Sequence, residues 1–175
     1  SLDHQASQPT EFDDLGRMYQ EARPDAVIIA SPHTLHYEQC VEAIDRGSHV
    51  LVEKPMVTDL RQARDLQRRV EQSGLTLCIA YNTPCSVEFA TLRHHIRERT
   101  FGALRVVSLS ISQPWYYLTR GSWRQDPALS GGGMIYDSGA HVLNSLTWSV
   151  ESDVAEVHAY VDNLDSPVDI NGTIN

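Results

Sequence analysis

Cysteine is scarce in this chain: Cys40, Cys78 and Cys85 are the only three in 175 residues, an odd number with no Cys-x-x-Cys or Cys/His finger spacing. That usage excludes a disulfide framework and a structural zinc finger and points to a reducing, cytoplasmic setting. No apolar run approaches the ~18 residues of a membrane-spanning helix. Basic residues are also few, 14 against 23 acidic ones for a net charge of −9, and no block of about five like charges marks an interaction tail. Nucleic acid and anionic membranes are therefore excluded as partners. Internal repeats and low-complexity tracts are missing, as are an initiator methionine and a signal peptide. The chain opens on Ser1 and closes on Asp169-Ile170-Asn171-Gly172-Thr173-Ile174-Asn175, which reads as mid-strand. Both ends are thus expected to be cut and to leave exposed strand edges.

What remains is a globular composition, 41% hydrophobic and 21% charged, long enough to bury roughly 70% of its unfolded surface. Phe12, Leu15, Met18, Tyr19 and Ala22 carry the stripe of an amphipathic helix, with Thr10 as expected N-cap. After Arg23-Pro24, the run Asp25 to Ser31 is apolar and β-branched, as in a strand buried on both faces. Tyr37, Cys40, Val41 and Ile44 return to helical spacing, Gly47 ends that helix, and His49 to Glu53 makes the next strand. The cycle repeats with Thr58 as cap, a stripe of Leu60, Ala63, Leu66 and Val70, Gly74 as stop, and a strand from Leu75 to Tyr81. Strands alternating with helices predict a parallel sheet of doubly wound α/β type, with ligands at the carboxyl ends of the strands. A helix over about Val87 to Arg99 follows. From about residue 101 the texture changes: Leu104 to Ser112 alternates apolar and polar residues as a half-exposed strand. An aromatic and glycine-rich loop, a helix near Asp137 to Trp148, and strands near Ala155 to Val161 and from Val168 complete a second, α+β unit. The division is 1–100 and 101–175.

Three places could carry chemistry. Ser31-Pro32-His33-Thr34-Leu35-His36 joins a strand to a helix on the ligand side of the sheet. His33 and His36 could ligate a metal, but no carboxylate or third histidine arrives nearby at ligand spacing, and a helix cap with a hydrogen-bonded His36 explains them as well. Glu53-Lys54-Pro55 places an acid and an ammonium at a strand end, where the lysine could stabilise alkoxide charge or form an exposed ion pair. Gly131-Gly132-Gly133 precedes Asp137 and His141, which share a helix face. A carboxylate and an imidazole there can orient an alcohol and take its proton, or serve as a helix cap and a core histidine.

Together these segments resemble the Gfo/Idh/MocA oxidoreductases, the glucose–fructose oxidoreductase and inositol dehydrogenase family. The resemblance rests on Pro24 to Val27 leading into Ser31 to His36, on Ala43 to Pro55 with its Gly-x-His-Val-x-x-Glu-Lys-Pro run, on Trp123-Arg124, and on Gly131 to His141. It implies the C-terminal part of a Rossmann-type sheet followed by the start of an open-sheet α+β domain. The implied activity is hydride transfer between NAD or NADP and a hydroxyl carbon of a sugar or cyclic polyol, by a protein that is a homo-oligomer when intact. Carried over by motif, Lys54 would touch cofactor and substrate hydroxyl, Asp137 would orient substrate, and His141 would take the hydroxyl proton. Ser31, Pro32, His36, Glu53 and Asn82 would line the nicotinamide-ribose end, with Trp123 and Arg124 against the cofactor. The family's glycine-rich turn is absent, so this chain alone is expected to bind dinucleotide weakly, and Thr83-Pro84-Cys85 stands where many members carry Arg-Phe. Two other readings remain open at this point, a non-catalytic protein sensing a sugar or nucleotide and a metal-assisted hydrolase using His33, His36, Asp137 and His141.

Overall fold

The computed structural model describes residues 9–150 and 152–175. Helix α1 (Leu15–Ala22) starts later than its apolar stripe suggests, because Asp14, not Thr10, has the extended cap backbone and accepts the Arg17 N–H at 2.7 Å. Strand β1 (Ala26–Ile29) leads through a one-turn 3-10 helix (His33–Leu35) into α2 (His36–Asp45). Gly47, at φ +83°, turns the chain into β2 (His49–Val52). Helix α3 (Leu60–Ser73) is capped by Asp59 rather than Thr58, its carboxylate accepting the Arg61 N–H at 2.6 Å, and stops at left-handed Gly74 before β3 (Leu77–Ile79).

The three strands are parallel in the order β1-β2-β3, with Val27 opposite Val50 and Val50 opposite Leu77. Their core is Ile29, Val50 and Val52 against Cys40, Ala43 and Ile44 of α2, Leu66 of α3 and Tyr19 of α1. The expectation of strands buried on both faces fails here. Ile28 is 77% exposed, and in β2 exposed and buried residues alternate. Side chains alternate across a strand, so the residues pointing away from this core bury only where a second layer covers them.

Helix α4 (Val87–Arg97), capped by Ser86, packs on α8 (Gly139–Val150), where the Arg93 guanidinium lies 4.2 Å from the Trp148 ring centre. Between them come three short helices, α5 (Trp115–Thr119), α6 (Pro127–Ser130) and α7 (Met134–Asp137). The helix expected near Asp137 to Trp148 is α8, which begins at Gly139 and is separated from α7 by Ser138. Strands β4 (Ala159–Asp162) and β5 (Asn171–Ile174) pair antiparallel, Ala159 opposite Ile174. Residues 104–112 form no strand, a second correction. Alternation sets which way side chains would point, but a ladder also needs a partner strand to close its hydrogen bonds, and this segment has none among the described residues.

Candidate active site

Ile29 and Val52 end adjacent parallel strands, so the residues after β1 and β2 open at one edge of the sheet. There Lys54, the single lysine of the sequence, precedes Pro55 through a cis peptide bond. Its Nζ donates to the backbone oxygen of Asp137 at 2.9 Å and to the Asp137 carboxylate Oδ1. The other carboxylate oxygen accepts from Trp115 Nε1 at 2.9 Å and from Arg124 Nε at 3.2 Å. Burial works against the charge of Asp137, but the hydrogen bonds from Lys54 and Trp115 and the charges of Lys54 and Arg124 outweigh it and hold its carboxyl below the usual range. Asp137 is an anion clamped by two cations.

His141 sits one turn further, in the first turn of α8. Its ring stands edge-on to Tyr81, centroids 6.1 Å apart, and its Nδ1 is buried with no hydrogen-bond partner. Burial, then the nearby Lys54 charge, pushes its pKa below the ordinary 6.5. An imidazole kept neutral and unengaged is chemically competent to accept a proton.

The remaining expected residues fall into two groups. Arg124 reaches the carboxylate of Asp137, and its guanidinium lies 4.5 Å from the Trp123 ring centre. Trp123 in turn meets His33 edge-on at 4.8 Å. Ser31, whose Oγ donates to Gln39 at 2.6 Å, Pro32, and the exposed Glu53 and Asn82 stand at the strand ends with no hydrogen bond to Asp137. His36 departs from expectation. It is fully buried, with Nδ1 2.9 Å from the Pro55 oxygen and Nε2 2.9 Å from the Ser31 oxygen. It has no surface to offer a cofactor or a metal and instead ties the ends of β1 and β2 together; a neutral ring donates to one of these carbonyls at a time.

His33 is also an internal residue, Nδ1 donating to the Ser130 oxygen at 2.9 Å. Thr34 Oγ donates to the Ala128 and Leu129 oxygens, and Tyr136 OH to the Val57 oxygen at 2.9 Å. These bonds seat α6 and α7 against the strand ends. Among the described residues no three His, Cys, Asp or Glu side chains are placed to hold a metal ion, and no helix is long and apolar enough to cross a membrane. Trp115 and Tyr136 were not foreseen as site residues. Nothing in the local pattern reveals that an indole 22 positions before Asp137 faces its carboxylate.

Comparison with known proteins places this geometry in context. Residues 3–81 match the family described as "Oxidoreductase family, NAD-binding Rossmann fold", and residues 89–175 match the GFO/IDH/MocA C-terminal domain. The scyllo-inositol 2-dehydrogenase (NADP(+)) IolU of Bacillus subtilis (strain 168) is 30% identical over 172 residues, 93% of this chain and 50% of that protein. A second enzyme of that name and organism, IolW, is 27% identical over 120 residues, 69% of this chain and 33% of that protein. The crystal structure of the WlbA dehydrogenase from Bordetella pertussis in complex with NADH and UDP-GlcNAcA has the same fold, with a TM-score of 0.84 at 24% identity over 93% of this chain and 48% of that one. The chain spans a third to a half of the length of these curated relatives.

Proposed function

Because this chain belongs to the Gfo/Idh/MocA oxidoreductases, we propose that the protein carrying it moves a hydride between NAD(P) and the hydroxyl carbon of a sugar or cyclic polyol. The observation that carries this reading is the convergence of one ammonium, one ion-paired carboxylate and one unengaged imidazole, Lys54, Asp137 and His141, at the carboxyl edge of a Rossmann-type sheet. The substrate class is suggested by the scyllo-inositol dehydrogenases named above.

The residues fit a nicotinamide and an alcohol side by side. Ser31, Pro32, Glu53, Lys54 and Asn82 at the strand ends would hold the nicotinamide half of the cofactor, with Trp123 and Arg124 against it, while the orphaned imidazole of His141 awaits a hydroxyl. When bound, the nicotinamide supplies the acceptor for the hydride leaving carbon. His141 takes the hydroxyl proton as the C–O bond gains double-bond character. Lys54, whose side chain is 14% exposed, holds the oxygen while negative charge develops on it, which lowers the cost of that charge. Asp137 keeps Lys54 aimed, and Trp115 and Arg124 keep Asp137 in place.

The test is a panel of polyols and sugars supplied with NAD or NADP to the intact protein, read at the reduced nicotinamide band. Turnover that collapses in His141→Ala supports the assignment. Dinucleotide binding with no turnover on any hydroxyl substrate would point instead to a sensor that kept the fold.

A further inference from the structure

We infer that Asp169, a residue outside every motif above, is the positioning residue for Asp137 and His141. This rests on the proposed function for its kinetic consequence, and on geometry alone for its structural one. Helix α7 has four residues, too few to hold itself together, since a single turn fixes several dihedrals for one hydrogen bond. Its first N–H groups must find acceptors elsewhere. Asp169 supplies three in a row: Oδ1 accepts the Gly133 N–H at 2.6 Å, its backbone oxygen the Met134 N–H at 2.8 Å, and Oδ2 the Ile135 N–H at 2.6 Å.

The linkage then runs straight to the reacting groups. The Gly133 carbonyl that Asp169 fixes accepts the Asp137 N–H at 2.8 Å, and the Ser138 carbonyl one residue on accepts the His141 N–H at 3.2 Å. The approach has no slack, for a Cβ on Gly133 would fall 2.0 Å from the Asp169 backbone oxygen, and one on Gly172 2.0 Å from Ile135 Cδ1. The neighbours of Asp169 hold the same carboxylate from its other side. Val168 and Ile170 are buried in one cluster with Trp115, whose indole N–H bonds Asp137. The segment entering β5 therefore sets Asp137 twice, its main chain through Asp169 and its side chain through Trp115.

The experiment compares Asp169→Ala and Asp169→Asn in the intact protein. Three readouts are followed: kcat against cofactor Kd, hydrogen exchange at the Gly133, Met134 and Ile135 amides, and acylation of Lys54 by acetic anhydride. Displacing a reacting group by about 1 Å costs up to ~100-fold, so Asp169→Ala should lower kcat roughly 10- to 100-fold with cofactor Kd within about twofold. The asparagine keeps one acceptor of two and should show a smaller deficit. Asp169→Ala should speed exchange at the Gly133 and Ile135 amides, whose acceptors it removes, more than at Met134, whose main-chain acceptor it keeps. Asp169→Asn should speed exchange at fewer of them, and both should raise Lys54 acylation as Asp137 shifts off the ammonium. Unchanged exchange and acylation, or kcat, cofactor affinity and thermal stability falling in step, would overturn the assignment. Should the alanine variant not fold, the asparagine variant decides by the same readouts. If the wild-type protein turns over no hydroxyl substrate, the proposed function falls, while amide exchange and Lys54 acylation still judge Asp169.

Discussion

The ammonium of Lys54 donates both to the main-chain oxygen and to the carboxylate of Asp137, 83 residues further along the chain. A cation that answers to two atoms of one residue is fixed in direction as well as in charge. Removing the carboxylate in Asp137→Ala leaves that ammonium, whose side chain is 14% exposed, without its counter-charge and leaves the Trp115 indole N–H unpaired. Breaking a buried pair from one side typically costs about 3 kcal/mol, and urea unfolding should read a loss of that order. Lys54→Met should lower kcat ~100-fold or more, and Lys54→Arg should not restore it, because a planar fork cannot replace a point charge seated between two oxygens. Near-wild-type turnover in Lys54→Met would remove Lys54 from the chemistry.

His141→Ala should lower kcat by about 10²–10⁴-fold with dinucleotide affinity preserved. The wild-type kcat/KM profile should keep its acid limb below pH 6.5, because burial and the Lys54 charge hold the His141 pKa down and keep the base neutral in more acidic solution. A limb at or above 6.5 would assign the titration to another group.

Stability should fall on acidification in a defined order. His33, lowered chiefly by burial, and His141, lowered by burial and by Lys54, both have folded pKa values below 6.5. In the window between the folded and unfolded values the unfolded chain binds more protons, so their contribution is complete above pH 6.5 and is lost as pH falls through the folded values. Asp137 is likewise depressed, and its contribution disappears only at lower pH, as its carboxylate protonates below 3.8. Chemical denaturation from pH 8 to 4 should show a plateau and then a decline beginning near 6.5. A flat curve through that range would contradict the burial of His33 and the partial burial of His141.

Two glycine substitutions separate crowding from backbone conformation. Gly133→Ala drives its methyl into the Asp169 main chain and should cost about 2–3 kcal/mol together with turnover. Gly47→Ala has open space around its Cβ but sits at φ +83°, so it should cost about 1 kcal/mol with turnover intact. Thermal unfolding and initial rates on the two variants check both statements.

The strand and helix order up to Ile79 was legible because its signals are local. Apolar residues at helical spacing in α2 and α3, β-branched runs in β1 and β2, and glycines at 47 and 74 each act within a few residues. Cap assignments missed by one residue at Asp59 and by four at Asp14, since several side chains near a helix start can accept the same N–H and backbone geometry chooses among them. The run 104–112 has strand alternation and forms no ladder, because pairing is a property of two segments.

The amino-acid sequence by itself determined the class of fold and the motifs of the family, written in residue type and short spacing, among them the Glu53-Lys54-Pro55 run and the four-residue step from Asp137 to His141. Tertiary structure alone decided that Trp115 and Arg124 share one carboxylate oxygen of Asp137, that His36 faces two carbonyls rather than a ligand, and that Asp169 holds the start of α7. Those relations join residues 13 to 36 positions apart or different strand ends. A hydrogen bond forms only where donor and acceptor meet within about 3 Å and in line, a condition set by how the elements pack and not by how they are spelled.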